Sequence, residues 1–245
     1  MSLDRRSERR IRPLALAGRA PRRAILVPLF LWLLVGAQAR AQTGITATFA
    51  SEYSLRGLSL SAGRAVPQLR IDHDTNDGWY GGAFGSRVAL RASPASAVLI
   101  GYGGYARRLA TGLGWDAGFS HAVFARDARY NYTEFYAGIS SDRLGARLSL
   151  APDYYGTGRT AYAEINGAYP LGERVRLTAH AGLLRRFSSA GGAGRTARDR
   201  VDLRVAVGAD IGDGSVELGL QARQRDPGTR VPRARALFAS ASLGF

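Results

Sequence analysis

Charged side chains of opposite sign recur at alternate positions of short segments. Arg70 stands with Asp72, Asp202 with Arg204, and Glu217 with Arg223, and Arg176 shares the polar face of its segment with His180. Glu52, Arg56, Arg87, Asp116, Glu134, Arg147 and Glu164 extend the set along the chain. Charges arrayed this way on the inner wall of a pore set its ion preference. An arginine opposite an acid on a neighbouring strand also makes an ordinary cross-strand pair. The two signs nearly balance, which argues against a uniformly anion-selective wall. Arg56 before Gly57 suits a constriction charge, a partner for Glu52, or a conformational lock inside a barrel. Asp153, Tyr154 and Tyr155 follow Pro152 and suit a gate or specificity loop, or a turn whose Pro and Asp fix local geometry.

Other chemistries fare less well. The three histidines, His73, His121 and His180, lack metal-ligand spacing, and there is no cysteine. A lipid hydrolase on a barrel wall would need a hydroxyl nucleophile within hydrogen-bond reach of its base. Ser120 adjoins His121 and therefore points to the opposite face of a strand. Gly101-Tyr102-Gly103-Gly104-Tyr105 opens no helix and fails the context test for a dinucleotide loop. No catalytic residue, metal or cofactor is expected.

These side chains need strands to position them. The chain has 245 residues, with 34 basic residues, all arginine, against 19 acidic, a formal charge of +15. Residues 1–41 hold nine arginines against Asp4 and Glu8, a net of +7, and residues 42–245 carry +8. The basic excess is therefore split, and no nucleic-acid partner is expected. An arginine-rich start, the apolar run Ala24–Val35 and Ala39-Arg40-Ala41 read as a signal peptide over 1–41, cleaved before Gln42. Residues 42–245 read as one domain.

No later apolar run approaches the roughly 20 residues of a membrane-spanning helix. Apolar and polar residues instead alternate with period two. Val201, Leu203, Val205, Val207 and Ala209 oppose Arg200, Asp202, Arg204 and Asp210. The pattern predicts twelve antiparallel strands near 43–54, 65–74, 78–91, 95–107, 113–122, 132–141, 143–151, 159–168, 174–186, 200–211, 214–223 and 233–245. Alternate connections are short (75–77, 108–112, 142, 169–173, 212–213) and long (55–64, 123–131, 152–158, 187–199, 224–232), with only the 92–94 link out of step. Short turns at one end, long loops at the other and an even strand count are the marks of an all-β transmembrane barrel of the bacterial outer membrane. Tyr53, Tyr80, Tyr102, Trp115 and Phe135 suit its interfacial girdles. The last strand alternates through Leu237, Ala239, Ala241 and Leu243 to Phe245, an ending read here as the signal to the barrel-assembly machinery.

Three stretches resemble a known family. Ser51-Glu52-Tyr53-Ser54-Leu55-Arg56-Gly57-Leu58-Ser59-Leu60-Ser61 resembles the S-x-Y-x-F-R-G-x-S-Q-S opening of the TorF family of outer-membrane porins. Trp79-Tyr80-Gly81-Gly82-Ala83-Phe84-Gly85-Ser86 resembles its F-Y-A-G-x-W-x-S segment. Glu134-Phe135-Tyr136-Ala137-Gly138 with Ala151-Pro152-Asp153-Tyr154-Tyr155-Gly156 resembles its E-x-Y-A-G and S-P-D-Y-F-G pair. Leu60 replaces the usual Gln, Arg87 replaces a common Asn, and beyond about Ala168 only the strand pattern is shared. The resemblance implies a transmembrane barrel with a porin role and no established substrate.

The expectation is thus an outer-membrane channel for ions or small polar solutes, anions included. The alternatives are a non-conducting structural or surface-binding barrel and, third, a lipid-modifying enzyme. Expected partners are membrane lipid and lipopolysaccharide, the latter met by loop arginines such as Arg195, Arg198, Arg230 and Arg233.

Overall fold

The computed structural model describes residues 42–90, 93–187, 199–223 and 235–245. The expected signal peptide and the four loop arginines just named lie outside these. Twelve antiparallel strands close into a barrel: β1 (Gln42–Ala50), β4 (Val66–Asp74), β5 (Trp79–Arg87), β6 (Ala97–Arg108), β7 (Gly114–Phe124), β8 (Tyr132–Ser140), β9 (Leu144–Ala151), β10 (Thr160–Pro170), β11 (Val175–Arg186), β12 (Arg200–Ile211), β13 (Gly214–Arg223) and β14 (Arg235–Gly244). Two two-residue strands, β2 (Ser54–Leu55) and β3 (Leu58–Ser59), form a separate hairpin.

Each barrel strand pairs with its sequence neighbours, and β14 pairs with β1 from Thr46↔Gly244 to Ala50↔Ser240. Beyond that register Phe245 N–H donates to Ile45 O at 2.9 Å. Closure leaves no strand edge with unpaired backbone groups, the condition for standing in lipid. No helix among the described residues is long and apolar enough to cross a membrane.

The side chains are distributed inside out relative to a water-soluble barrel. Leu69, Leu99, Phe119, Phe135, Ile139, Leu148, Ile165, Leu203, Val205, Leu218, Leu220 and Leu237 all stand exposed on the outer wall, around the whole circumference. Asp116, Glu134, Ser149, Glu164, Asn166, Asp202 and Gln221 are buried inside. An apolar band with a polar interior is the surface of a transmembrane barrel. Near the short-turn rim Trp79, Tyr105 and Trp115 run edge to edge across three strands, with ring centroids 5.2 and 5.8 Å apart. They form the girdle there. Trp115 and Phe135 face outward as expected. Tyr53, Tyr80 and Tyr102 do not, because they share the inward parity of their segments.

Two strands end earlier than the alternation suggests, both for the same reason. After Ala50 the Ser51 hydroxyl accepts the Ala239 N–H at 2.9 Å, taking the place of a ladder bond, and the chain turns into the barrel. After Arg87, Ala89 N–H donates to Leu60 O at 2.7 Å, so these residues bond to the inward segment instead of to β6. The β5–β6 connection is therefore 88–96, not a short link at 92–94. With that change every connection at one rim is long (51–65, 88–96, 125–131, 152–159, 187–199, 224–234) and every one at the other is short (75–78, 109–113, 141–143, 171–174, 212–213).

Candidate functional site

The interior has two parts. Its long-loop half is occupied by residues 51–65. There Arg56 and Gly57 have φ of 48° and 69°, the two positive values of a type I′ turn, and they cap the β2–β3 hairpin. Gly57 faces the side chains of Arg200 and Asp202, where a Cβ would stand 3.2 Å from each. Leu60 N–H extends the hairpin by donating to Tyr53 O at 2.8 Å. The hairpin seats Tyr53, Leu55 and Leu60 against Phe84, Ile100, Phe124, Tyr132 and Leu184 of the barrel wall. Leu60, Tyr154 and Leu184 have no solvent-exposed surface, so this half is a packed apolar core.

Arg56 lies at the centre of that core, only 4 % exposed. Its guanidinium is bidentate to Glu134, with Nη2 donating to Oε2 at 2.8 Å and Nη1 to Oε1. The same group lies 4.3 Å over the Tyr162 ring. A planar fork suits both contacts at once. The Arg56 partner is therefore Glu134, and Glu52 instead accepts from Gln221 Nε2 at 2.8 Å. Asp153 accepts Gly158 N–H at 2.9 Å and fixes its turn. Tyr154 and Tyr155 stack at 4.2 Å and, with Tyr130 and Tyr132, continue the aromatic core beneath the rim.

The short-turn half is polar, with its charges paired across adjacent strands (Arg176–Asp210, Arg204–Glu217) or over the inward Gly138 of an intervening one (Arg147–Asp116). Arg147 donates to Asp116 at 2.6 Å and lies over Tyr136 at 4.5 Å. Tyr80 donates to Asp116 at 3.1 Å, and Tyr102 to Asp72. Arg204 meets Glu217 at 3.2 Å and lies 3.7 Å over Phe238. Arg176 meets Asp210 at 2.5 Å. His180 sits between Asn166 Oδ1 and Asp202 Oδ1, each 2.7 Å away, with the Tyr162 hydroxyl 3.0 Å from Nε2 and Glu164 at 3.9 Å. Arg70 faces the same space over the Tyr102 ring.

Arg87 does not belong to the lumen. In β5 the inward positions are Tyr80, Gly82, Phe84 and Ser86, so Arg87 faces outward and is exposed at the long-loop rim. There water replaces lipid, and an outward guanidinium carries no burial cost. The Arg223 backbone pairs with Asp202; its side chain lies outside the described residues.

The lumenal tyrosines were missed from sequence, although Tyr136 shares its parity with Glu134 and Tyr162 with Glu164. Each of three lies across an inward glycine of the next strand: Tyr80↔Gly104, Tyr102↔Gly82 and Tyr136↔Gly118 are register pairs. A Cβ on Gly104 would come within 2.6 Å of the Tyr80 hydroxyl, which accounts for that glycine. On the outer wall His121 Nδ1 lies 2.8 Å from Thr133 Oγ1. Among the described residues no third group orients that ring, so the pair lacks the arrangement of an activated nucleophile. No cluster of three or more metal-ligating side chains occurs among the described residues.

A family model described as "Bacterial protein of unknown function (Gcw_chp)" matches residues 36–221, most of the chain. The chain belongs to the Gcw_chp family. The match spans the inward hairpin and the strands β1 to β12, so the plugged barrel lies almost wholly within the family's own segment. Among curated proteins none matches this Gcw_chp chain in sequence. Two solved structures share its fold. One, titled "KdgM porin in complex with disordered oligogalacturonate", has a TM-score of 0.50 and 10 % identity over 82 % of this chain and 96 % of that one. The other, titled "NanC porin structure in rhombohedral crystal form", has a TM-score of 0.52 and 9 % identity over 83 % and 98 %. At such identity the likeness is one of fold.

Proposed function

We propose that this Gcw_chp protein is a porin-like channel of the bacterial outer membrane, passing ions or small polar solutes, anions included. The observation that carries the reading is a closed barrel, apolar all round its outer wall, enclosing a wetted, mixed-charge half-lumen. The fold shared with a porin that holds an oligogalacturonate supports it, as does the resemblance to the TorF porins. In this reading the long loops face outside, residues 1–41 are removed after export, and the assembly machinery recognises β14 with Phe245. The outer wall meets lipid, and the rim arginines, Arg87 among them, meet lipopolysaccharide. The protein acts without catalysis.

The packed hairpin favours a second reading, a barrel closed at rest. Planar-bilayer recording of the refolded protein, beside a variant with 54–60 replaced by a short Gly-Ser linker, separates the two. Steady conductance steps from the unmodified barrel support the open channel. Silence that gives way to conductance in the linker variant supports the closed one. A correctly folded barrel silent in both forms overturns both readings.

A further inference from the structure

Of the arginines that project into the described lumen, four have a carboxylate: Arg56 has Glu134, Arg147 has Asp116, Arg176 has Asp210 and Arg204 has Glu217, while Arg186 donates to the Thr157 hydroxyl. Arg70 and Arg200 make no ion pair or hydrogen bond among the described residues; Arg200 packs against Gly57 of the hairpin, and Arg70 is the one of the two that lines a cavity. The acid two positions along its own strand, Asp72, accepts the Tyr102 hydroxyl instead. Arg70 contacts only the face of the Tyr102 ring, 5.5 Å from its centroid. A half-buried guanidinium with five unused donors is a strong attractor of an oxygen anion.

The space in front of it is suited to one. Arg70 lines a cavity of about 60 Å³ just beneath the hairpin, shared with Arg147, Tyr80, Tyr136, Ser120 and Ser149. A single water occupies roughly 10–15 Å³ on this measure, so the cavity takes a few waters or one compact polyatomic anion. Of the other charges on its wall, Arg56 is neutralised by Glu134, which also lines the cavity, and Arg147 by Asp116, so the unpaired Arg70 leaves the wall net positive. The Ser120 and Ser149 hydroxyls can donate to further oxygens, and the tyrosine faces offer flat apolar surface to whatever carries the anionic group.

We propose that this cavity is an oxyanion subsite centred on Arg70, taking the carboxylate or phosphate group of a small solute. Its use in transport rests on the channel reading; its existence does not. The refolded barrel in uncharged detergent is titrated calorimetrically with acetate and, separately, with inorganic phosphate, so that the two arms distinguish a carboxylate from a phosphoryl ligand. Saturable binding of at least one anion by the unmodified protein is expected. Arg70→Gln weakens it at least tenfold, and Arg70→Lys retains part of it. Ser120→Phe, which fills the cavity and leaves Arg70 in place, also abolishes it. Folding of each variant is checked by heat-modifiable gel migration, and the Lys and Phe variants serve if Arg70→Gln does not fold. Absent saturation by the unmodified protein, or unchanged affinity after cavity filling or loss of the guanidinium, overturns the subsite. Conductance without binding overturns the subsite alone, and binding without conductance overturns the channel reading alone.

Discussion

The two halves of the lumen hold the same kind of contact in opposite surroundings. In the long-loop half the Arg56–Glu134 pair has side-chain exposures of 2 % and 8 %, inside a shell of tyrosine and leucine. In the short-turn half Arg176 and Asp210 are 20 % and 42 % exposed, and at the rim itself Arg108 and Asp142 are 47 % and 73 % exposed. Strand alternation places every one of these side chains but Arg56 inward or at the rim, so it does not create the difference. One inward hairpin does, by bringing an apolar core to one end and leaving the other to water. A barrel wall fixes which residues face inside, and its loops decide what dielectric they find there.

Breaking the dry pair gives the largest effect. Glu134→Ala leaves Arg56 charged and unpaired in the core, at a cost of about 3–5 kcal/mol. The joint replacement Arg56→Met with Glu134→Leu restores most of that stability, because it removes both buried charges. Denaturant unfolding of the refolded barrel, followed by the fluorescence of Trp79 and Trp115, reads both, and a double variant as unstable as the single one would contradict the account. Next comes the apolar plug itself. Leu60→Ala opens a void where no solvent reaches and costs about 3 kcal/mol, with a lower denaturant midpoint in the same assay.

The wet half responds less. Asp210→Asn removes the carboxylate paired with Arg176, where water partly replaces it, and costs about 1 kcal/mol or less. Added salt shrinks that difference and leaves the Glu134 effect nearly intact. The smallest effect lies outside the lumen, in the connection 125–131. There hydrogen bonds from Arg129 and then Ser93 hold the Asp127 carboxyl below the ordinary carboxylate range. A depressed folded-state value stabilises above the unfolded value of about 4 and is lost as pH falls through the folded one. Amide protection factors in this loop, relative to the intrinsic exchange rate at each pH, should therefore fall below about pH 4, and Arg129→Ala should remove that dependence.

The outer wall was legible in the sequence because lipid imposes one rule on every outward position. β12 and β13 were read to the residue, since the alternation is unbroken and Gly212-Asp213 marks the turn between them. The hairpin was not legible. Residues 51–54 continue the alternation of β1, and two-residue strands are too short to show a period. Arg87 was misplaced because charge alone does not set parity; Tyr80, Phe84 and Ser86 do. The glycine–tyrosine pairs and the Arg56–Glu134 contact, 78 residues apart, depend on register and closure, which no local pattern carries. The site charges were visible singly and their partners were not.

The seam between β1 and β14 has a consequence for how the barrel is made. Ten of the twelve staves have partners adjacent in sequence and can zip in order. The seam joins Ala50 to Ser240, so it forms only after some 190 intervening residues have been threaded and placed. Until then two raw edges persist, each able to pair with another chain. The time spent with that seam open is the time during which those edges are exposed to another chain.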